Sequence, residues 1–238
     1  PIMFWPLLLA HLIADYPLQT DAIVQAKKKL PGLALHVMIH IFAMVIILVG
    51  GLGMDWRFVL PIILAVAVIH FAIDAWKNIV TRRWPRWIIG GYVQDQVLHL
   101  LSLLAVAYGY ARVTGTIPFA PDPPWVIYGC AFLLTTHVWF VTERVVTYRN
   151  AAYQRWVSAQ LWPRLMSRVL LFCAVLVGWN LGGATALVAA LAVHWCDLTG
   201  PYRWRALLTD IGVVGGVLLL LQLFTATEAA MLAVRLVD

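Results

Sequence analysis

Apolar residues run through this chain in blocks of roughly 16 to 24, and polar residues fall between the blocks in short clusters. Blocks of this length match the ~20 residues a helix needs to cross hydrocarbon, and they are too uniform for a period to show within them. Length, charge and chain breakers predict eight spans, at about 3–19, 33–54, 57–80, 94–113, 124–146, 165–181, 184–199 and 206–225. Two breaks are sharp. TRRWPRW joins a basic cluster to Pro85, and TIPFAPDPPW carries four prolines that cannot continue a helix. The stretch 165–199 reads either as one kinked helix or as two short ones turning at Asn180, Gly182 and Gly183, so counts of six or seven are the alternatives. The expected fold is therefore all-α, a polytopic integral membrane bundle. Its expected parts are a four-helix half at 1–113 and a helical membrane extension at 114–238.

Composition agrees. Hydrophobic residues make up 63% of the 238 and charged residues only 12%, too few to cover a soluble surface. The start, PIMFWPLLLAHLIADYPLQ, lacks the basic region of a secretory signal and reads as a short first span. Cys130, Cys173 and Cys196 have no CxxC spacing, and predict neither a disulfide framework nor a thiolate zinc site. No Walker loop or dinucleotide fingerprint occurs.

The +6 charge gives orientation. With eight spans, fourteen Lys and Arg lie in or beside connections one, three, five and seven, and only Arg57, Arg112 and Arg235 lie on the other side. That asymmetry puts the odd connections in the cytoplasm and both termini outside. It assigns the basic excess to topology and anionic headgroups, with no nucleic-acid partner. Lys27–Lys29 read as part of this solvated signal. The basic connection at 144–168 reads as an amphipathic element at the cytoplasmic surface, open to headgroups or an acidic substrate. Tryptophans near the span ends read as an interfacial belt.

The remaining polar residues carry the chemistry. Four successive spans each hold a pair four residues apart: His11 and Asp15 in HLIAD, His36 and His40 in HVMIH, His70 and Asp74 in HFAID, and Asp95 and His99 in DQVLH. A spacing of four puts both members on one helix face. The first and third spans run inward with their pairs late, and the second and fourth run outward with their pairs early. All eight residues are thus expected at one depth, near the cytoplasmic side. Imidazole and carboxylate suit zinc, iron or manganese, and eight donors would serve one ion with supporting residues or two ions. Among them Asp15, Asp74 and Asp95 are candidate catalytic carboxylates. Lys77, one turn beyond Asp74, is the candidate substrate contact, with Gln19 or Gln96 orienting substrate. No serine or cysteine nucleophile stands beside the cluster, so an activated water would attack. Weaker candidates are His137 and Glu143 in the fifth span and His194 and Asp197 in the seventh.

HLIADYPLQ, HVMIH, HFAID followed by AWK, and DQVLH together resemble the bacterial multi-pass family known as domain of unknown function 3307, over about residues 7–113. The resemblance implies an integral protein of the bacterial cytoplasmic membrane and brings no chemistry. The pairs near helix ends are more loosely similar to membrane-bound metal-dependent hydrolases, which implies hydrolysis of a lipid-linked or phosphorylated substrate. The competing expectations are an accessory subunit of a larger respiratory or photosynthetic membrane complex, and an ion or proton transporter.

Overall fold

A computed structural model of the chain describes residues 3–116, 123–177, 181–196 and 200–235, side chains excepted at 181, 194–196 and 224–235. Helix accounts for 86% of it, and no strand occurs among the described residues. The helices are α1 Phe4–Asp15, α2 Asp21–Ala26, α3 Leu30–Val45, α4 Trp56–Arg83, α5 Ile88–Thr114, α6 Pro124–Leu133, α7 Trp139–Val146, α8 Ala151–Ala159, α9 Leu161–Val177, α10 Leu181–Cys196 and α11 Arg203–Arg235. Wider π-helical turns at Ile46–Gly51 and Leu134–Val138 extend α3 and join α6 to α7.

Helix starts follow local chemistry. Thr20, Asp55 and Asn150 accept the backbone N–H of Ile23, Arg57 and Tyr153, capping α2, α4 and α8. Pro31 sits in the first turn of α3, where its missing N–H costs nothing. Gly115, at φ 68°, ends α5 in the left-handed conformation that glycine adopts without strain.

Five helical stretches are long and apolar enough to cross a membrane: Leu30–Gly51, Trp56–Arg83, Ile88–Thr114, Pro124–Val146 and Arg203–Leu223. Helices α8 and α9 together qualify as a sixth but bend by 68° between them. Phe4–Asp15 and Gly182–Val193 are apolar but shorter. At 1.5 Å per residue α1 extends only ~18 Å, against ~30 Å of hydrocarbon. Large apolar side chains cover the outward faces of the long helices, Phe42, Phe58, Val68 and Leu101 among them. Such faces suit lipid and would be a liability in water. The chain is a membrane protein by this character.

Two units divide at residue 130. In the first, α1 packs on α3 and α5, α3 on α4, and α4 on α5, closing a ring of four helices. These four carry the four His/Asp pairs. Leu7, Met44, Leu48, Leu103 and Ala107 fill the ring away from the polar end, all essentially buried. The short α2 folds back on α3. Gly32 permits this, since a Cβ there would meet the Ala26 carbonyl oxygen at 2.1 Å. Gly32→Ala must therefore push α2 away, and an overpacked backbone contact costs about 1–3 kcal/mol. A lowered thermal midpoint is expected for Gly32→Ala and none for Gly50→Ala, where a Cβ meets nothing within 4 Å. Equal midpoints would refute the contact.

In the second unit, α9 lies against α10 and α11. Ala131, Leu171, Phe172, Ala190, Val214 and Leu218 form its apolar core.

Candidate metal centre

Each pair lies on the inward face of its helix, as the four-residue spacing dictates, and the ring of helices brings the four pairs together. His11, Asp15, His36, His40, His70, Asp74, Asp95 and His99 are all buried, none more than 8% exposed. The five imidazoles form one contiguous cluster. His40 and His70 have ring centroids 3.7 Å apart, His70 and His99 4.2 Å, and His11 and His99 4.9 Å.

All five rings turn Nε2 towards carboxylate. His36 Nε2 and His40 Nε2 lie 3.0 and 3.1 Å from Asp15 Oδ1, and His11 Nε2 lies 3.4 Å from Asp15 Oδ2. His36 Nε2 and His70 Nε2 lie 3.4 and 3.6 Å from Asp74 Oδ2. His99 Nε2 sits 3.5 Å from Asp95 Oδ1 and 3.8 Å from Asp74 Oδ1.

Protons satisfy only part of this geometry. His36 Nε2 and His70 Nε2 face each other at 3.3 Å, so at most one of them carries a proton towards the other. A neutral ring donates through one nitrogen only. If His36 Nε2 is bare, its lone pair faces Asp15 Oδ1 and Asp74 Oδ2. If it is protonated, the bare His70 Nε2 faces the Asp74 carboxylate instead. Making both rings imidazolium would set two N–H groups against each other in a buried site. His36 Nδ1, Asp95 Oδ1 and His99 Nε2 also lack any hydrogen-bond partner, which is costly for buried polar atoms.

A cation resolves these conflicts. Asp15, His36, His40 and His70 each offer a ligand atom within 4.8 Å of the other three. Around a tetrahedral ion with bonds of about 2.0–2.1 Å, neighbouring ligand atoms sit about 3.3–3.4 Å apart. The His36–His70 separation of 3.3 Å matches that spacing, and the Asp15 contacts of 3.0 and 3.1 Å are a few tenths of an ångström shorter. Two further groups, His11 with His70 and His99, and Asp74 with Asp95 and His99, satisfy the same proximity. These buried clusters could hold a metal ion.

Two lysines border the cluster. Lys77 Nζ donates to Asp95 Oδ2 at 2.5 Å, and Lys27 Nζ donates to Asp74 Oδ2 at 3.2 Å. Lys77 keeps 30% of its side chain exposed and marks the side where the cluster meets the surroundings. Lys27 is buried, contrary to the solvated role expected for the Lys27–Lys29 run. Asn78 and Arg82 hold it there by donating to the carbonyls of Lys27 and Lys28, at 2.8 and 2.7 Å. Gln19 Nε2 donates to the Asp15 backbone carbonyl at 2.5 Å and reaches Asp15 Oδ1 at 3.5 Å, and Gln96 Nε2 donates to Asp95 Oδ2 at 3.1 Å. Tyr16 Oη in turn donates to Gln96 Oε1 at 2.9 Å.

In the second unit Glu143 belongs to another buried network. Arg164 Nη1 donates to Glu143 Oε2, as does Tyr153 Oη to Glu143 Oε1. Arg164 Nη2 and Arg168 Nε donate to Asp210 Oδ1 at 2.6 and 2.7 Å. Both arginines are fully buried, so this part of the basic connection does not face headgroups. Four of the fourteen basic residues expected on the cytoplasmic side, Lys27, Lys77, Arg164 and Arg168, are thus held in internal ion pairs. The other ten still outnumber the three opposite. His137 is half-buried, its Nδ1 3.1 Å from Thr136 Oγ1. The His194 side chain and Asp197 lie outside the described residues.

Fold and site together define a helical membrane protein whose first four packed helices enclose a buried His/Asp cluster. Residues 3–125 match the family described as protein of unknown function (DUF3307), and the chain belongs to it. The match spans all four pairs and both lysines. No curated protein and no solved structure matches the chain.

Proposed function

We propose that this is a divalent-metal protein of the bacterial cytoplasmic membrane that hydrolyses a lipid-linked or phosphorylated substrate at the cytoplasmic face. The observation that carries the reading is the tetrad of Asp15, His36, His40 and His70, four buried side chains that each bring a ligand atom within 4.8 Å of the other three. Asp74, Asp95, His99 and His11 offer donors for a second ion. Zinc, iron and manganese all accept this nitrogen and oxygen set. The eight-span topology, with both termini outside, takes the five long helices, the bent α8–α9 pair and the two short apolar helices as the spans.

Asp15, His36, His40 and His70 would hold the ion, which would supply water activation and charge neutralisation when bound. The chain's own residues divide the remaining work. With one ion bound, Asp95 is the proton acceptor: Oδ1 faces His99 Nε2 at 3.5 Å without a hydrogen bond, while Lys77 and Gln96 fix Oδ2. Asp15 and Asp74, each surrounded by imidazoles, serve as ligands. Lys77 is positioned to leave Asp95 for a substrate oxyanion.

The two lysine–aspartate pairs favour one competing reading, a metal-free polar core in an accessory subunit of a larger membrane complex. Elemental analysis of protein purified without chelator separates the two. The expected result is about one or two equivalents of a transition metal, falling at least about tenfold in Asp15→Asn and His40→Ala. Metal-free wild-type protein would leave the polar-core reading standing.

A further inference from the structure

Where α4 ends and α5 begins, the hairpin carries a groove of about 820 Å³. Trp76, Trp84 and Trp87 wall it, each about half exposed, and Arg83 and Arg86 stand at its edge. Neither arginine has a hydrogen bond or ion pair to a carboxylate among the described residues. Their behaviour contrasts with that of Lys27, Lys77, Arg164 and Arg168, which are all paired internally. Gln94 also lines the groove. Gln94 and Trp76 continue into a narrow crevice of about 10 Å³ walled by Lys77 and Asp95. That volume admits about one water, and the Lys77–Asp95 ion pair forms part of its wall at the edge of the His/Asp cluster.

We infer that this groove holds the phosphate headgroup of an anionic membrane lipid, with Arg83 and Arg86 pairing its phosphate and the tryptophans flanking its glycerol and upper acyl chains. The inference rests on the proposed hydrolase for what lies behind the crevice, and it names that enzyme's substrate class as a lipid phosphate. Three physical features agree. Indole rings favour the headgroup level of a bilayer, guanidinium pairs phosphate in a fork geometry, and two unpaired cations beside an apolar wall match an anionic head on an apolar tail. A phosphate held there lies beside Lys77, whose ammonium can move from Asp95 to the phosphate.

The test uses the full chain in phosphatidylcholine nanodiscs doped with dioleoyl phosphatidic acid, with bound lipid counted by native mass spectrometry. Wild-type protein should retain phosphatidic acid over phosphatidylcholine. The double variant Arg83→Gln/Arg86→Gln should lower that preference by about twenty-five-fold, since each basic residue near a surface contributes about fivefold. Arg57→Gln/Arg112→Gln, at the opposite ends of the same two helices, should keep it. Equal retention in both double variants would overturn the inference. So would inorganic phosphate displacing the lipid completely, because the occupant would then be free phosphate. Metal content measured on the same samples keeps the two proposals apart. Wild-type protein that holds metal but shows no preference for phosphatidic acid overturns the groove alone, and wild-type protein that keeps the preference without metal overturns the metal centre alone.

Discussion

Chelation is expected to lower the thermal midpoint of the wild-type protein by on the order of 10 °C and to leave Asp15→Asn unmoved. A ligand that binds only the folded state stabilises it by about 4 kcal/mol at a thousandfold excess over its dissociation constant, and for a chain of this size each kcal/mol moves the midpoint by about 2–4 °C. The asymmetry between wild type and variant is the informative part. Asp15 Oδ1 lies near His36 Nε2 and His40 Nε2 together, so its charge is the one most directly shared by the tetrad. Asparagine keeps the shape and removes that charge. If the cluster is a metal-free network, chelator shifts neither protein, while the substitution alone lowers the midpoint. If the ion sits elsewhere, chelator shifts both equally. Either pattern rejects the tetrad as the binding site. Adding zinc, iron or manganese back to stripped wild-type protein should restore the midpoint, and the metal that does so at the lowest concentration identifies the preferred ion.

The four pairs were legible because helix geometry converts a spacing of four into a shared face without any tertiary knowledge. Their common depth was legible because the basic residues orient the helices independently of the pairs. Lys27 was not. It lies in a run of three lysines that looks solvated, and it turns inward only because α2 folds back over Gly32 and offers its carbonyls to Asn78 and Arg82. Such a reversal depends on a close backbone approach between residues that no periodicity marks. Arg164 and Arg168 also share a four-residue spacing, yet at the end of a basic connection they read as surface residues open to headgroups, and both are buried. Their partner Asp210, a lone carboxylate in an otherwise apolar run 42 and 46 residues away, gave no local cue. Span count suffers from a different cause. Five helices announce themselves by length, whereas Phe4–Asp15 and Gly182–Val193 fall short of the bilayer on their own. The family match ends at residue 125, so it covers the His/Asp cluster and leaves the Arg/Asp network of the second unit to be understood from its own charges.

Those charges balance, and the balance makes a second large effect predictable. Glu143 and Asp210 carry two negative charges, Arg164 and Arg168 two positive, and all four side chains are at most 4% exposed. Asp210→Leu leaves two buried guanidinium groups sharing one carboxylate. Removing one partner from a buried ion network costs about 3–5 kcal/mol, because the remaining charge cannot be rehydrated. Arg168→Met added to Asp210→Leu removes one charge of each sign, and leaves the direct Arg164–Glu143 pair supported by the Tyr153 hydroxyl. The double variant should therefore be more stable than the Asp210→Leu single variant and lie within about 1–2 kcal/mol of wild type, a coupling that independent sites would not show. Thermal unfolding in detergent measures the cycle. Hydrogen exchange then localises it: α9 and α11 should lose protection in the single variant and regain it in the double, while α1, α3, α4 and α5 stay protected and metal content stays constant. A double variant as unstable as the sum of its singles would mean that the two arginines and two carboxylates contribute separately. Their charge balance would then not be what holds α9 to α11.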